Sequence, residues 1–383
     1  MARAAAGEAP TLSQVVEVLD AAYPRAQAAD WDAVGLVLGD LAAPVRRVVL
    51  AVEATARTVQ EALDDRADLL LVHHPLLLRP VHGVGTDTPK GALVHRLIRG
   101  GCALFTAHTN ADVAAPGVSD ALARVLGLTD LSPLDPHPGP QLDKIVVFVP
   151  EDAADPLVDA LAAAGAGEIG DYRRCAFAAP GTGTFEPQPG AQPAIGAVGR
   201  REHVPEHRVE MVLPRARRAA VVTAMRAAHP YEEPAFDVLE LADLPGPRGL
   251  GRVGDLASTV PLGVFAEHVA RALPRTSAGV RVAGPLDATV RRVAVCGGAG
   301  DSLIGAARRA GADAFVTSDL RHHVASEALA VGPPWLVDVA HWAGEWPWLL
   351  GARERLLAGL DARGLTVVAR VSTTSTDPWS IRL

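Results

Sequence analysis

Histidine and carboxylate side chains follow three apolar segments that lie far apart in the chain. His73 and His74 come directly after the first apolar run, and His108 comes after the second. The third run leads into His341, with Glu345 four residues later. In open α/β sheets, ligands gather at the carboxyl ends of the strands. Imidazoles and carboxylates that meet at such an edge form the type of site that binds divalent metal ions.

The adjacent pair His73-His74 is the most unusual of these features. Within a regular strand, neighbouring side chains point to opposite faces of the sheet. Here the pair stands at a predicted strand end and is followed by Pro75. The looser geometry there allows both rings to reach one cavity, or to serve two neighbouring ions. A packed or hydrogen-bonded role is the alternative, because that is the usual state of a strand histidine.

His341 and Glu345 have the i, i+4 spacing that places two side chains on one face of a helix. Pro347 argues against a continuous helix, because a proline ring clashes with the carbonyl four residues earlier, here that of Ala343. We therefore expect a helix that begins near Glu345, with His341 in the loop before it. A surface glutamate beside a capped loop is the alternative interpretation.

Further polar residues follow the same kind of apolar run. Asp112 offers a hard oxygen ligand, but it could equally order the loop before the next helix. Asp319, His322 and His323 follow another predicted strand and could reach the same cavity. An imidazole there would suit a proton shuttle, since histidine titrates near neutral pH. Capping of the next helix by Ser318 or Asp319 is an equally good explanation for the aspartate.

The glycine-rich segment 297–300 follows a predicted strand and precedes a helix. That arrangement is typical of a phosphate cradle. The segment lacks the Lys-Ser/Thr of a P-loop and the GxGxxG spacing of dinucleotide-binding folds. Close packing of a strand on a helix explains the glycines as well, so no organic cofactor is predicted.

The elements that must position these residues form an α/β pattern. Short apolar strands alternate with amphipathic helices, which indicates a mostly parallel sheet. A proline-rich stretch interrupts the alternation, and a β-α-β-β-α-β order follows, ferredoxin-like in outline. We therefore predict a discontinuous α/β core, residues 1–135 and 249–383, with an inserted α+β domain at 140–248. Predicted strands of the core include 48–52, 68–72, 103–107, 292–296, 314–317 and 335–339.

Composition narrows the class of protein. The formal net charge is -8 and no basic block stands out, which disfavours nucleic acid as the main partner. The three cysteines form no CxxC pair, so neither a zinc ribbon nor a disulfide framework is indicated. No apolar run approaches the ~20 residues of a membrane span, and the alanine-rich start lacks the apolar region of a signal peptide. We expect a cytoplasmic protein with no membrane partner.

An ordered set of motifs spans almost the whole chain. In the core they are DWDAVGL (30–36), HHPL (73–76), HTNAD (108–112), CGGAG (296–300), Ser318-Asp319 with His323, and DVAH (338–341) with Glu345. In the insert they are 181–196, with GTF at 183–185, and HPYEEPA (229–235). Taken together, these motifs resemble the Nif-three-like dinuclear-metal hexameric proteins, which are often labelled GTP cyclohydrolase 1 type 2 homologues. Small departures from the family pattern occur at Ala33, Glu53, Ser318 and Ala340, where Asn, Asp, Gly and Gly are usual.

The resemblance implies a Nif-three-like core with a PII/CutA-like insert, assembled as a homohexamer. It implies five metal ligands: His73, His74, Asp112, His341 and Glu345. These would hold two divalent ions per chain, with Zn, Fe, Mn or Ni as the candidates. Carboxylates can bridge ions, so Glu345 and Asp112 are the candidate bridges. His323 or His108 would carry protons, and His108 could instead hold the metal ligands in position by hydrogen bonds.

From this ligand set we expect a metal-dependent hydrolase that uses a metal-bridged hydroxide. Its substrate would be small, for example a phosphoester, a nucleotide or a cyclic amidine. One alternative is a non-enzymatic protein that stores, delivers or senses metal. The other is the GTP cyclohydrolase activity that the family label suggests.

Overall fold

The computed structural model describes residues 8–383, which divide into two compact units. One unit comprises the chain up to His137 together with Pro247–Leu383, and the other is Pro138–Gly246. Each border lies two residues from the predicted one. The alanine-rich start, residues 1–7, lies outside the described part. Within residues 8–383, no helix combines the length and apolar character that crossing a membrane requires.

The first part of the core alternates short strands with helices, as predicted. Helix starts are fixed by side-chain caps: Thr11 accepts a hydrogen bond from the Gln14 amide, and Thr55 accepts one from the Thr58 amide. The elements are α1 (Leu12–Ala22), β1 (Gly35–Leu38), β2 (Arg47–Ala51), α2 (Ala56–Asp64), β3 (Leu69–Val72), α3 (Pro89–Arg99), β4 (Ala103–Thr106), α4 (Thr109–Asp112), α5 (Val118–Val125) and β5 (Thr129–Pro138).

The insert has the predicted β-α-β-β-α-β order. Its strands line up in the order β7-β8-β6-β9, with antiparallel neighbours throughout. Leu157 and Val221 of its two helices pack on Val147 and Val209 of the sheet. The first strand of the central hairpin extends to Phe185, into the glycine- and proline-rich segment. The elements are β6 (Leu142–Pro150), α6 (Ala154–Ala163), β7 (Ala176–Phe185), β8 (Glu202–Pro214), α7 (Arg218–Ala228) and β9 (Phe236–Glu240).

The rest of the chain returns to the core. Its elements are β10 (Pro245–Pro261), α8 (Leu262–Ala272), β11 (Val280–Ala283), β12 (Thr289–Ala299), α9 (Ile304–Arg309), β13 (Ala314–Ser318), α10 (His322–Val331), β14 (Trp335–Val339), α11 (His341–Glu345), α12 (Trp348–Asp361) and β15 (Val368–Val371).

The core strands form two sheets, which corrects the prediction of one largely parallel sheet. One sheet has the order β1-β4-β3-β2-β15, in which only β1 is antiparallel to its neighbour. The other has the order β11-β14-β13-β12-β10-β5. In it β12, β13 and β14 run parallel, while β10 pairs antiparallel with β12 and β11 pairs antiparallel with β14. Apolar runs identify buried strands, but they carry no information on how strands divide between sheets.

A shared apolar layer lies between the two sheets. Alternate residues of β2 and β3, such as Leu50 and Leu71, contribute to this layer together with Val295 and Val337 of the second sheet. The intervening residues pack on the opposite face, against α2 and α3. The parallel strands are therefore buried on both faces, as such strands require. The carboxyl ends of β3, β4, β13 and β14 carry the predicted site residues.

Candidate metal centre

The backbone after β3 turns so that two adjacent histidines face the same place. The amides of His73 and His74 both donate to the carbonyl of Val52, at 3.1 and 2.9 Å. This double hydrogen bond ends the regular strand pattern. The two rings then lie with their centroids 5.0 Å apart, where a continued strand would have separated them.

His341 and Glu345 lie on one helical turn, which corrects the prediction of a loop before Glu345. The short helix α11 begins at His341 and ends at Glu345, and Nε2 of His341 lies 2.9 Å from Oε1 of Glu345. Pro347 does not disturb this helix, because it is the N-cap of α12. Its ring therefore has no helical hydrogen bond to break.

The Glu345 carboxylate is the centre of the cluster. Its Oε1 atom lies 3.6 Å from Nε2 of His73, and its Oε2 atom lies 3.1 Å from Nε2 of His74. Nε2 of His73 is also 3.6 Å from Oδ1 of Asp112. Three imidazoles thus surround one carboxylate whose side chain is only 4% exposed. Of the two predicted bridging residues, Glu345 therefore contacts three histidines, whereas the ion pairs of Asp112 among the described residues involve His73 alone.

Each histidine of the cluster uses Nδ1 for a second hydrogen bond. Nδ1 of His73 donates to the carbonyl of Ala107 at 2.8 Å. Carboxylates take the same position for the others: Glu53 for His74 (3.1 Å), Asp319 for His341 (2.6 Å) and Asp32 for His108 (2.9 Å). Such partners hold the Nδ1–H tautomer, so Nε2 is left as the ligand atom.

The conformation of Asp319 shows that this partner is positioned for the task. Its φ of +60° lies in the left-handed region, which costs energy for a residue other than glycine. Helix α10 begins three residues later, at His322, without a side-chain cap. Asp319 is therefore not a helix cap, and its carboxylate contacts His341 instead.

The charges of the cluster shift several pKa values. Burial alone lowers the pKa of His74, but the Glu345 and Glu53 carboxylates raise it to about 10. Burial likewise lowers the pKa of His341, and the hydrogen bond to Glu345 and its charge raise it to about 9. Burial raises the pKa of Asp112 to about 6. Burial by itself would raise the pKa of Glu345, yet the surrounding histidines hold this pKa well below the usual range.

The glycine segment 297–300 makes room for this cluster. A Cβ atom at Gly298 would lie 2.6 Å from Oε1 of Glu345 and 3.3 Å from Nε2 of His341. The φ of Gly298 is +74°, which also favours glycine. Close approach of side chains, not a phosphate cradle, therefore explains the motif.

Of the remaining predicted residues, His108 lies in the cluster and His323 lies outside it. The ring of His108 has its centroid 5.1 Å from that of His73, and one of its nitrogens belongs with His73 and His74 to a set of atoms within 4.8 Å of one another. His323 lies on the exposed first turn of α10, where its ring packs against His322. Within the described residues, no hydrogen bond or ion pair joins its ring to the cluster.

The donor set fits divalent metal ions. Oε2 of Glu345 is buried and forms no well-oriented hydrogen bond, although an imidazole nitrogen lies 3.1 Å away. Nε2 of His74 and Nε2 of His341 are 3.3 Å apart. Nitrogen and oxygen ligand atoms that face one another in this way would share a cation. Two overlapping groups of ligand atoms lie within 4.8 Å of one another, His73 with His74 and His108, and His74 with His341 and Glu345. Asp112 adjoins them through its approach to His73.

Sequence reasoning gave no role to two carboxylates of this site, Glu53 and Asp32. By residue type and spacing alone, an acidic residue near a short strand is too common to be informative. The available signal was the family resemblance, since Asp32 lies in the DWDAVGL motif and Glu53 stands where the family usually has Asp. Glu53 follows β2 as His73 follows β3.

A large cavity adjoins the outer side of the cluster. Its volume is about 800 Å³, and His74 and His341 lie in its wall. The C-terminal segment contributes Trp379 and Arg382 to the lining, and Arg281 lies there in an ion pair with Asp338. Four carboxylates, those of Glu53, Asp319, Asp338 and Asp377, line the cavity as well, so its lining carries charges of both signs.

Comparison with known proteins agrees with this architecture. A model of the family Duf34/NIF3 (NGG1p interacting factor 3) matches residues 10–378. The chain belongs to the Duf34/NIF3 family. A Mycobacterium tuberculosis member named GTP cyclohydrolase 1 type 2 homolog is 53% identical over 371 residues, 97% of either chain.

Solved structures share the fold. The crystal structure of a Bacillus cereus protein related to NIF3 is 39% identical, with a TM-score of 0.76, and the match covers 98% of this chain and 100% of that one. A Staphylococcus aureus structure is 27% identical with a TM-score of 0.84, covering 98% and 99%. The predicted family and the mixed α/β fold are thus confirmed.

Proposed function

We propose that this Duf34/NIF3 protein binds two divalent metal ions and uses them to hydrolyse a small substrate. The observation that carries the proposal is the Glu345 carboxylate surrounded by Nε2 atoms of His73, His74 and His341. His73, Asp112 and Glu345 would hold one ion, and His74, His341 and Glu345 would hold the other. Ions so held would act as Lewis acids and activate water near neutral pH.

The protein's own groups would orient the reaction and move protons. His108 is the candidate proton carrier, because Asp32 holds its Nδ1–H and leaves Nε2 to accept or give up a proton. Thr109 fixes Asp32 in turn, through hydrogen bonds from its amide and hydroxyl. Trp379 and Arg382 line the adjoining cavity, so they would bind the planar and anionic parts of the substrate.

Metal content of the purified chain is the first test. Elemental analysis should find up to two divalent ions per chain. His74→Ala and Glu345→Ala should each lose at least one ion while the circular dichroism spectrum stays native. The matched control is His82→Ala, an exposed histidine outside the cluster, which should keep its metal. Full metal retention in both cluster variants would refute the ligand assignment.

Turnover is the second test, on a panel of phosphoesters, nucleotides and cyclic amidines. Chelation should abolish activity, and Mn²⁺ or Zn²⁺ should restore it. His108→Ala should lower turnover more than metal content, with His323→Ala as its matched control. A loss in the His323 variant alone would return the proton-carrier role to that residue. Bound, exchangeable metal without turnover on any substrate would favour a protein that stores, delivers or senses metal.

The panel should include GTP. The name of the Mycobacterium tuberculosis relative specifies a GTP cyclohydrolase homolog, and the volume of the cavity suits a nucleotide. The same preparation tests the proposed homohexamer, since light scattering would give six times the chain mass of 39.8 kDa. A monomer or dimer at micromolar concentration would contradict that assembly.

A further inference from the structure

The insert has a cavity of its own, lined by the two motifs that the metal centre leaves unexplained. Its volume is about 490 Å³, within the range of small-molecule sites. One wall comes from segment 183–195, which contains the GTF motif, and another from segment 231–235 of HPYEEPA. Phe148 of β6 contributes to the lining between them.

Aromatic rings form one side of this cavity. Phe185 and Tyr231 meet edge to face with ring centroids 5.5 Å apart, and Phe148 lines the same space. His229 supports this arrangement from behind, because it hydrogen-bonds the carbonyl of Phe148 and accepts from the amide of Tyr231. Aromatic faces attract cations as well as flat rings.

A buried carboxylate forms the other side. Glu206 is only 9% exposed, and its Oε1 atom accepts a hydrogen bond from the Tyr231 hydroxyl at 2.9 Å. Within residues 8–383, its Oε2 atom has no hydrogen-bond or ion-pair partner. Gly183 leaves the space for this oxygen, since a Cβ there would lie 2.0 Å from it. Glu206 lines the cavity, so this oxygen is available there to pair with a cationic group of a ligand.

Further acidic groups, and no basic ones, line the cavity. Glu232 and Glu233 stand at its rim, and none of the described lining residues is lysine, arginine or histidine. Two arginines lie nearby: Arg208, which pairs with Glu210 at 2.9 Å, and Arg226, which is 4.0 Å from Glu233. Both are exposed, so they offset little of this negative charge. An anionic ligand is therefore disfavoured.

A bound metal ion explains the cavity less well than an organic ligand. Among residues 8–383, no set of three converging His, Cys, Asp or Glu ligand atoms occurs here, whereas such sets do occur in the core. The volume also exceeds what a single ion needs. Aromatic rings and proline side chains would contact the apolar part of a larger molecule.

We infer that the insert binds a small organic cation, an amine or amidinium group carried on a flat apolar ring. The cationic group would pair with Oε2 of Glu206, and the ring would pack against Phe185 and Tyr231. This inference is independent of the proposed hydrolase function, because it involves residues of the insert alone.

The test uses the full-length, metal-loaded protein and three probes of nearly equal shape. Benzamidine is cationic, benzamide is neutral and benzoate is anionic. Isothermal titration calorimetry should show benzamidine binding at least about tenfold more tightly than benzamide, with no binding of benzoate. Equal affinity for benzamidine and benzamide would overturn the inference.

Variants locate the binding. Glu206→Gln keeps the shape of the side chain but removes its charge, and should weaken benzamidine binding at least about tenfold while benzamide is unaffected. The matched control is Asp171→Asn, an exposed residue of the insert outside the cavity, which changes net charge equally. Should Glu206→Gln fail to fold, the exposed rim variant Glu233→Gln should still weaken binding roughly two- to fivefold. Unchanged benzamidine affinity in the charge variants would assign the binding to another site and refute the inference.

Discussion

Metal binding to the core cluster should release protons and therefore depend steeply on pH. In the metal-free protein, burial lowers the pKa values of His74 and His341, but the Glu345 carboxylate and its neighbours raise them to about 10 and about 9. Their protonated forms stabilise the metal-free fold at neutral pH, and this contribution is lost as pH rises through those values. A metal ion needs the neutral rings, so it must displace the protons.

The size of the effect follows from the geometry. The two Nε2 atoms are 3.3 Å apart, so the histidines titrate as a coupled pair. At pH 7 the pair holds at least one proton and at most two. If metal binding releases one proton, the apparent affinity rises about tenfold for each unit of increase in pH. If it releases two, the affinity rises about hundredfold per unit. Between pH 6 and 8 the affinity should therefore rise by about 100- to 10,000-fold.

Competition with a chromogenic chelator measures this affinity on metal-stripped protein. Calorimetry at pH 7 in two buffers with different ionisation enthalpies counts the released protons directly. His341→Asn removes one titrating ring. If the wild-type pair holds two protons, the slope of log affinity against pH should therefore fall by about one log unit per pH unit in this variant. An affinity that stays constant from pH 6 to 8, with no proton transfer to the buffer, would refute the reasoning.

Three further predictions concern the surroundings of the cluster. Gly298→Ala should lose at least one metal ion by elemental analysis, because the added Cβ would lie 2.6 Å from Oε1 of Glu345. Gly305→Ala is the control and should keep its metal, because the Cβ there would meet only the flexible end of an arginine. Asp112→Asn should stabilise the metal-free protein at pH 8 by up to about 3 kcal/mol, measured by urea unfolding. The reason is that burial raises the pKa of Asp112 to about 6, so its charged form destabilises the fold above that pH. That gain should disappear by about pH 4, and its persistence there would contradict the explanation. Glu53→Gln should weaken metal binding about 10- to 100-fold in the chelator assay, because it loosens the hold on His74, and an unchanged affinity would contradict this role.

Apolar runs made some strands predictable and left others hidden. The strands β2, β3 and β14 were located to within one residue, because all three consist mainly of buried apolar residues. Only Arg47 of β2 and Asp338 of β14 are charged. The long strand β10 was missed, since it contains Pro245, Pro247 and several glycines that normally indicate a loop. Its conformation depends on pairing with β12, which local sequence does not encode.

The site was predictable where side-chain type was unusual and hidden where it was ordinary. A histidine pair at a strand end is rare enough to attract attention, and so His73 and His74 were identified at once. Glu53 and Asp32 are common residues whose roles depend on contacts with His74 and His108 across the fold. His323 was chosen by type as well, but the chain turns at Asp319 and leaves that ring on the surface.

The two sides of the cluster differ in access, and this bears on the proposed chemistry. The side chain of His73 is 1% exposed, and those of Asp112, His74 and His341 are 21%, 22% and 33% exposed. His74 and His341, unlike His73 and Asp112, border the large cavity. On the proposed function, a substrate would therefore meet the His74–His341 side, and the His73–Asp112 side would serve mainly to hold its ion and charge in place. Glu345 contacts the histidines of both sides, so its charge acts on both. Gly298 leaves the room for this arrangement, because a Cβ there would lie 2.6 Å from Glu345 and 3.3 Å from His341.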